Sequence, residues 1–350
     1  MIQKDRGDII KDTIVKEYIG NPEIFADVFN FFLYDGEQKI KPENLTEKDV
    51  TELVTLPAAI KGQELSREVD VSIKRSQMHK RSKRKTDGSN SAQKHRDLLK
   101  FAAMMQDSYA NYVILGVENQ MEVHYAMPVR NMVYDALQYD KQVAMLAADN
   151  RRNKRFSGGN IRNSGEFLSG FLKTDKILPI ITLTIYFGTE AWDGPRSLHE
   201  MFGTLDEELK PWIPDYRINL LAPQEIEDFS VFRTEVGQLL QFIRASESEQ
   251  EVQELLGKYP EKFSRLDSET VAAICLFTGI EIACEDEKEV VDLCKAWEEH
   301  RETGLREGRE TGRREERISS IRNMVELGVP KEKILIKYTL AEYEEAMKQS

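Results

Sequence analysis

Apolar positions recur at helical spacing near the start of the chain and again near its middle. Residues 8–34 are predicted to be largely helical, with an apolar stripe after Pro22 and with Asp27 off that stripe. A second helix is predicted after Pro128, with an apolar stripe at Val129, Met132, Val133, Ala136 and Leu137. A separate row of that helix, at spacing four, consists of Arg130, Tyr134 and Gln138.

Short apolar runs bounded by polar residues predict strands between and after these helices. The predicted strands cover residues 53–56, 67–74, 113–120, 177–188 and 216–221. A helix at about 94–105 is expected to lead into the third strand, and from Pro223 to Trp297 the pattern is almost wholly helical. The sequence therefore predicts an α/β fold followed by an α-helical C-terminal region.

The run Val113–Gln120 is continuously apolar until it reaches Glu118, as expected of a strand buried on both faces. Side chains alternate along a strand, so Glu118 and Gln120 point to the same side of the sheet. In the predicted strand 67–74, Asp70 lies on the face opposite Val69 and Val71. Two carboxylates at neighbouring strand ends repel each other unless a cation lies between them. Because hard divalent cations prefer oxygen ligands, this pattern suggests a Mg²⁺ site.

Length and composition favour a folded protein with no membrane-spanning segment. The chain has 350 residues, 40% of them hydrophobic, which is enough for two or three domains with a substantial core. Its first residues are charged, and no apolar run approaches the roughly 18 residues that cross a bilayer. We therefore expect a cytoplasmic protein. Its three cysteines, at spacings of nine and ten, fit no common zinc pattern and are interpreted as reduced thiols.

Positive charge is concentrated around the predicted carboxylate strands, although the whole chain carries a net charge of −12. Residues 60–166 contain 19 Lys and Arg against 12 Asp and Glu. A basic loop is predicted at 74–93, and its candidate contacts to nucleic-acid phosphates are Lys74, Arg75, Lys80 and Arg81. A second basic cluster lies at 151–155. The alternative for both segments is an ordinary solvated loop.

The order of elements and the carboxylate positions together resemble the PD-(D/E)XK nuclease superfamily, and most closely its recombination-promoting nuclease and putative transposase family. The resemblance covers most of the chain. It depends on residues 25–30 with 35–36, 68–71, 115–120, and 127–130 with 134–135, and it continues through 185–188 and the Arg/Glu/Gly-rich tail.

This resemblance implies a restriction-endonuclease-like mixed sheet flanked by helices, and a Mg²⁺-dependent DNA endonuclease associated with transposition or recombination. Asp70 and Glu118 would hold the metal, with a backbone carbonyl near Gln120 completing its coordination. Asp27 would either accept a hydrogen bond behind the metal ligands or bind another metal. The row Arg130, Tyr134 and Gln138 would contact the sugar-phosphate backbone, unless these are ordinary surface residues.

Gln120 departs from the family pattern, because it stands where the family has a catalytic Lys. A carboxamide can orient an attacking water, but it cannot offset negative charge. Lys74 is a candidate substitute cation, since it shares a strand face with Asp70 by the alternation rule. The competing interpretation is a catalytically inactive nuclease fold that binds nucleic acid or a protein partner.

The chain divides by sequence into a nuclease-like domain at 1–225, a helical region at 226–300, a semi-flexible linker at 301–317 and a helical hairpin at 318–350. The linker is predicted because Gly304, Gly308 and Gly312 interrupt a run of paired opposite charges. The hairpin surrounds residues 328–330 and either packs on itself or reads DNA. The acidic helical half is also a candidate oligomerisation module, so a homo-oligomer is a candidate assembly.

Overall fold

The protein is a mixed α/β structure with a helical C-terminal region. The computed structural model describes residues 13–47, 51–55, 91–95, 97–106, 109–153, 155, 164–280 and 290–348. The chain forms two compact units, Met1–Gly237 and Gln238–Ser350.

The first unit begins with helices and continues with strands, as the periodicity predicts. Its helices are α1 (residues 13–20), α2 (Pro22–Tyr34), α3 (Met127–Arg152) and α4 (Ser164–Ser169). Its strands are β1 (Leu45–Glu47), β2 (Thr51–Thr55), β3 (Ser91–His95), β4 (Leu98–Gln106), β5 (Tyr109–Gln120), β6 (Ile180–Tyr186) and β7 (Asn219–Leu221). Asn21 caps α2, since its side chain accepts a hydrogen bond from the Glu23 N–H at 2.9 Å.

Five strands form one mixed sheet in the order β1-β4-β5-β6-β7. The pairs β1/β4 and β4/β5 are antiparallel, whereas β5/β6 and β6/β7 are parallel. Strand β5 is therefore central, and Val113, Leu115 and Val117 are buried as predicted for this strand. Strands β2 and β3 pair separately as a two-stranded ladder.

The prediction of a helix at 94–105 is wrong, because the chain there forms the end of β3 and most of β4. Leu, Lys, Ala and Met favour helices locally, and the sequence of β4 is rich in them. Strand β4, however, pairs with β5 over nine residue pairs, from Leu98↔Val117 to Gln106↔Tyr109. Pairing with a strand further along the chain therefore overrides local propensity.

The side of α3 that carries Asn131, Tyr134, Asp135 and Gln138 faces the sheet, rather than the apolar stripe. Asn131, Tyr134, Asp135 and Gln138 are buried, whereas Val129, Met132, Val133 and Leu137 are only half-buried and Ala136 is exposed. The reason is chemical, because the sheet presents Glu118, Thr182 and Thr184 beneath the helix, and these side chains need polar partners.

The second unit is mainly helical. Its helices are α5 (Val236–Ala245), which begins at the end of the first unit, α6 (Glu249–Lys258), α7 (Pro260–Phe263), α8 (Ser268–Thr278), α9 (Leu293–Glu326), α10 (Lys331–Ile334) and α11 (Leu340–Lys348). A short ladder joins β8 (Leu266–Asp267) to β9 (Val290–Val291). Of the helices that the structure describes, none is long and apolar enough to cross a membrane.

Residues 301–317, predicted as a semi-flexible linker, lie within the continuous helix α9. Oppositely charged side chains support this helix, as in the Arg301–Glu298 ion pair at 3.0 Å. The C-terminal end of α9 packs with α10 and α11 around a small core of Ile318, Ile321, Ile334, Tyr338 and Ala346. Helix α9 therefore runs on through its glycines and ends in a packed helical cluster.

Candidate functional site

Five of the predicted site residues lie outside the described residues: Asp70, Lys74, Arg75, Lys80 and Arg81. In the described sheet, β5 lies between β4 and β6. The predicted strand at 67–74 lies outside the described residues, so its pairing with β5 stays a prediction.

Glu118 lies near the end of β5 and is fully buried, with 0% of its surface exposed. It pairs in register with Thr184 of the parallel strand β6, so both side chains point toward α3. The Arg130 guanidinium of α3 lies 3.1 Å from the carboxylate, measured from Nη2 to Oε2. Burying a carboxylate costs free energy unless a partner offsets its charge, and Arg130 is one such partner of Glu118.

Asp97 is the acidic residue that the sequence reasoning missed. It immediately precedes β4, and continuing the Leu98↔Val117 pairing by one residue places it opposite Glu118. Its Oδ2 accepts a hydrogen bond from the Asn119 N–H at 2.8 Å, and its Oδ1 lies 3.3 Å from the Lys16 Nζ. Asp97 and Glu118 therefore lie opposite each other at neighbouring strand ends, whereas the predicted partner Asp70 lies outside the described residues.

A sequence signal for Asp97 existed, because it stands directly before the apolar run that begins with Leu98 and Leu99. Asp70 is likewise singled out as an acidic residue next to the apolar residues of a predicted strand. Assigning residues 94–105 to a helix concealed it.

Gln120 lies on the same face of β5 as Glu118 and is 8% exposed. Its Nε2 donates a hydrogen bond to the Asn119 carbonyl at 2.8 Å, while its backbone carbonyl accepts one from the Phe187 N–H. The carboxamide is therefore held close to the backbone beside Glu118, and its Oε1 accepts no hydrogen bond from the described residues.

Arg130 and Tyr134, predicted as backbone contacts for DNA, lie in the electrostatic field of the two acids. Burial by itself lowers the pKa of Arg130, but Glu118, Tyr134 and Asp97 outweigh it and raise that pKa above its ordinary value. Burial, and then the Glu118 charge, raise the pKa of the Tyr134 hydroxyl. The Arg130 guanidinium lies 5.7 Å from the centre of the Tyr134 ring. Both side chains therefore remain protonated at neutral pH next to the acids.

A layer of hydrogen bonds fixes α3 over the sheet around this site. The Asn131 Nδ2 donates to the Thr184 Oγ1 at 2.9 Å. Asp135 accepts hydrogen bonds from the hydroxyls of Thr182 at 2.5 Å and Tyr216 at 2.6 Å. Gln138, the third residue of the predicted row, is 3% exposed in the same layer. These buried polar contacts set the position of Arg130 relative to Glu118.

Asp27 occupies a different environment. It is 2% exposed, and its carboxylate accepts hydrogen bonds from the backbone N–H groups of Arg233 and Thr234 and from the Thr234 hydroxyl, at 2.7 to 3.1 Å. The segment leading into α2 contacts Leu98 and Lys100, whose side chains lie on the sheet face opposite Glu118. In this arrangement the Asp27 oxygens hold the segment at 233–234.

Lys100 is a buried cation near the sheet, but it does not replace the missing catalytic Lys. Its Nζ donates hydrogen bonds to the Gly20 carbonyl at 2.6 Å and to Glu47 at 2.8 Å. It pairs with Leu115 across the β4/β5 ladder and so faces away from the Glu118 side. Of the described cations, Arg130 and Lys16 are those that lie within 4 Å of the two acids.

The oxygen groups around β5 suit Mg²⁺ in kind, since they comprise the carboxylates of Asp97 and Glu118 together with carbonyl and carboxamide oxygens. Within the described ranges, no three acidic, His or Cys side chains cluster closely enough to hold a metal. The donor set thus consists of two acids with neutral oxygens. Comparison of the chain with family models, curated proteins and solved structures gives no match.

Proposed function

We propose that the protein is a metal-dependent DNA endonuclease of the PD-(D/E)XK type, with Asp97 and Glu118 as its acidic pair. The observation that carries this proposal is the hydrogen bond from Asn119 to Asp97, which joins the two strand ends beside Glu118. The mixed sheet with its central β5 and the flanking helices supports a restriction-endonuclease-like fold. Asp70 stays a prediction outside the described residues.

Each side chain at the site has a chemical role in this proposal. Mg²⁺ held by Asp97 and Glu118 would polarise the phosphodiester and lower the pKa of the attacking water. Gln120 would orient that water through its carboxamide oxygen. Arg130 would exchange its contact with Glu118 for one with a phosphate oxygen, because guanidinium binds both anions well. Tyr134, protonated at neutral pH, would donate a hydrogen bond to the DNA backbone.

A second candidate is an inactive nuclease fold that binds nucleic acid without cleaving it. The Arg130–Glu118 ion pair favours this alternative, since it neutralises the carboxylate without a metal. The basic segment at 74–85 and the cluster at 151–155 would supply phosphate contacts in either case. DNA is the proposed partner under both hypotheses.

The experiment is a nicking assay on supercoiled plasmid with and without Mg²⁺, comparing wild type with Asp97→Asn, Glu118→Gln and Asp70→Asn. We expect each of the first two substitutions to lower the rate by about a hundredfold or more, as for loss of a preorganised electrostatic group. Asp70→Asn and the exposed control Asp140→Asn should retain activity. Asp140 is a suitable control because it lies on α3, away from the buried row.

Other outcomes separate the alternatives. Loss of nicking in Asp70→Asn, with activity kept in Asp97→Asn, would restore the acidic pair predicted from sequence. Nicking of equal rate in all variants would indicate a contaminant. If no protein nicks DNA but all bind it with a steep salt dependence, the inactive interpretation is correct, since each phosphate contact contributes about −0.9 to the slope.

A further inference from the structure

A second cleft lies beyond the carboxyl ends of β5 and β6. It has a volume of about 610 Å³ and is lined by residues of the two loops that follow these strands. Its polar lining residues include Glu122, Tyr125, Tyr186, Glu190 and Asp193. Crevices at the carboxyl ends of parallel strands are frequent ligand sites. This cleft has no role in the proposed cleavage of DNA.

The cleft has a strongly negative lining, which the described residues leave without a compensating cation. Among the residues that the structure describes, no Lys or Arg forms an ion pair with Glu122, Glu190 or Asp193. Within the described part of the chain, the only side-chain hydrogen bond to these acids comes from the Tyr125 hydroxyl, which lies 3.0 Å from both carboxylate oxygens of Asp193. Three carboxylates that repel one another therefore line one concave surface.

Tyr186 provides an independent indication of a ligand. It is 4% exposed, and its ring packs edge-on against Trp192 with the ring centres 5.3 Å apart. Its hydroxyl lines the cleft and forms no hydrogen bond with any described residue. Burial, and then the charges of Glu190, Asp193 and Glu122, raise the pKa of this hydroxyl. The side chain is therefore almost wholly buried, while its hydroxyl is open to the cleft and to whatever binds there.

Gly188 makes room for that hydroxyl. A Cβ atom at this position would lie 2.1 Å from the Tyr186 oxygen, so any larger residue would displace the ring. Tyr186 also belongs to a core cluster with Met127, Trp192, Ile218 and Ala222, which holds the ring rigidly. The hydroxyl is thus fixed in place by both the core and the glycine.

We propose that this cleft binds an organic cation with several N–H donors, such as an alkylammonium group. Carboxylates would accept its N–H donors, the Tyr186 oxygen would accept another, and the rings of Tyr125 and Tyr186 would attract its charge. The described acids do not converge closely enough to hold a single metal ion, whereas a flexible cation could span them. The ligand is either a free polyamine or the side chain of a basic peptide.

The test is isothermal titration calorimetry of the full chain with 1,4-diaminobutane, with 1,4-butanediol as an uncharged comparison. N-acetyl-lysine methylamide is titrated in a second series as a model of a peptide side chain. Tighter binding of the diamine indicates a free polyamine as the ligand, and tighter binding of the lysine derivative indicates a basic peptide. We expect the diamine to bind in low salt, to weaken as salt rises, and to bind more tightly than the diol. Binding of Mg²⁺ without binding of either cation would overturn the proposal.

Variants of the cleft supply the specificity control. We expect Glu190→Gln and Asp193→Asn each to weaken diamine binding by about threefold or more, as for loss of one partly exposed charge. Tyr186→Phe keeps the ring and should also weaken binding, while Glu208→Gln, an exposed acid outside the cleft, should not. If the three cleft variants bind the diamine as tightly as wild type does, the cation binds elsewhere and the proposal fails. Nicking activity does not enter this test, so its result is independent of the proposed nuclease.

Discussion

Asp27 offers a clear test between a structural and a catalytic role for a residue singled out by sequence. Its carboxylate accepts hydrogen bonds from the Arg233 N–H, the Thr234 N–H and the Thr234 hydroxyl while 2% exposed. Substitution Asp27→Asn keeps the shape but replaces one oxygen with a donor and removes the charge. We therefore expect a loss of folding stability, whatever its effect on nuclease activity.

The magnitude follows from these contacts. In the Asp27→Asn protein, the carbonyl of the introduced amide can take the Oδ2 position and keep its three hydrogen bonds without charge assistance. The NH₂ group of that amide then faces the Arg233 N–H, which lies 3.1 Å from Oδ1. Hydrogen bonds to charged groups contribute about 1.5–3 kcal/mol and neutral ones about 1 kcal/mol, so the loss is about 2–3 kcal/mol. For a unit of this size, that lowers the Tm by roughly 5–10 °C.

Urea unfolding followed by circular dichroism measures this loss. Thr234→Val replaces the hydroxyl with a methyl group and should cost about 1.5–3 kcal/mol, because that hydroxyl donates to a charged carboxylate. The double mutant should show coupling because the two side chains are in contact. Asp35→Asn is the matched control at the other end of α2, since Asp35 is exposed and Asn tolerates its left-handed backbone (φ 49°). An Asp27→Asn protein of wild-type stability that no longer nicks DNA would refute this reasoning and support a role in the chemistry.

Three further predictions concern other parts of the chain. Gly308→Ala should stabilise α9 by about 0.8–1 kcal/mol, because a Cβ atom at this position would meet nothing within 4 Å. If urea unfolding instead shows that the variant is less stable, this face of α9 packs closely against another copy of the chain. The pKa of Tyr134 is raised in the folded state, so its contribution to folding stability is complete below the unfolded pKa of about 10 and is lost as the pH rises through the folded value. Tyr134→Phe should therefore reduce the loss of stability at alkaline pH, which unfolding curves measured over a pH series would show. Hydrogen bonds from Arg317 and Thr339 lower the pKa of Glu342 from 4.5 to about 2, so its stabilising contribution is present above pH 4.5 and is lost as the pH falls toward 2. An NMR titration should find this pKa raised toward 4.5 in Arg317→Met, and an unchanged value would contradict the assigned cause.

The sequence by itself determined those features that depend on neighbouring residues. The apolar stripe after Pro22 predicted α2, and the continuous run that ends at Glu118 predicted the buried strand β5. Alternation along that strand correctly predicted that Glu118 and Gln120 share a face. Pro128 also correctly indicated the start of α3, which begins one residue earlier. Each of these features follows from a period of 3.6 or 2 residues, which is a local property of the chain.

Tertiary structure alone decided which acid meets Glu118 and which side of α3 is buried. The segment that forms β4 has helical propensity, and only its pairing with β5 makes it a strand and brings Asp97 to the site. The polar row of α3 is buried because Glu118 and Thr184 beneath it need partners, a requirement invisible along the helix itself. Pairing and burial depend on residues distant in sequence, so local periodicity could identify the candidate groups but could not determine which of them meet.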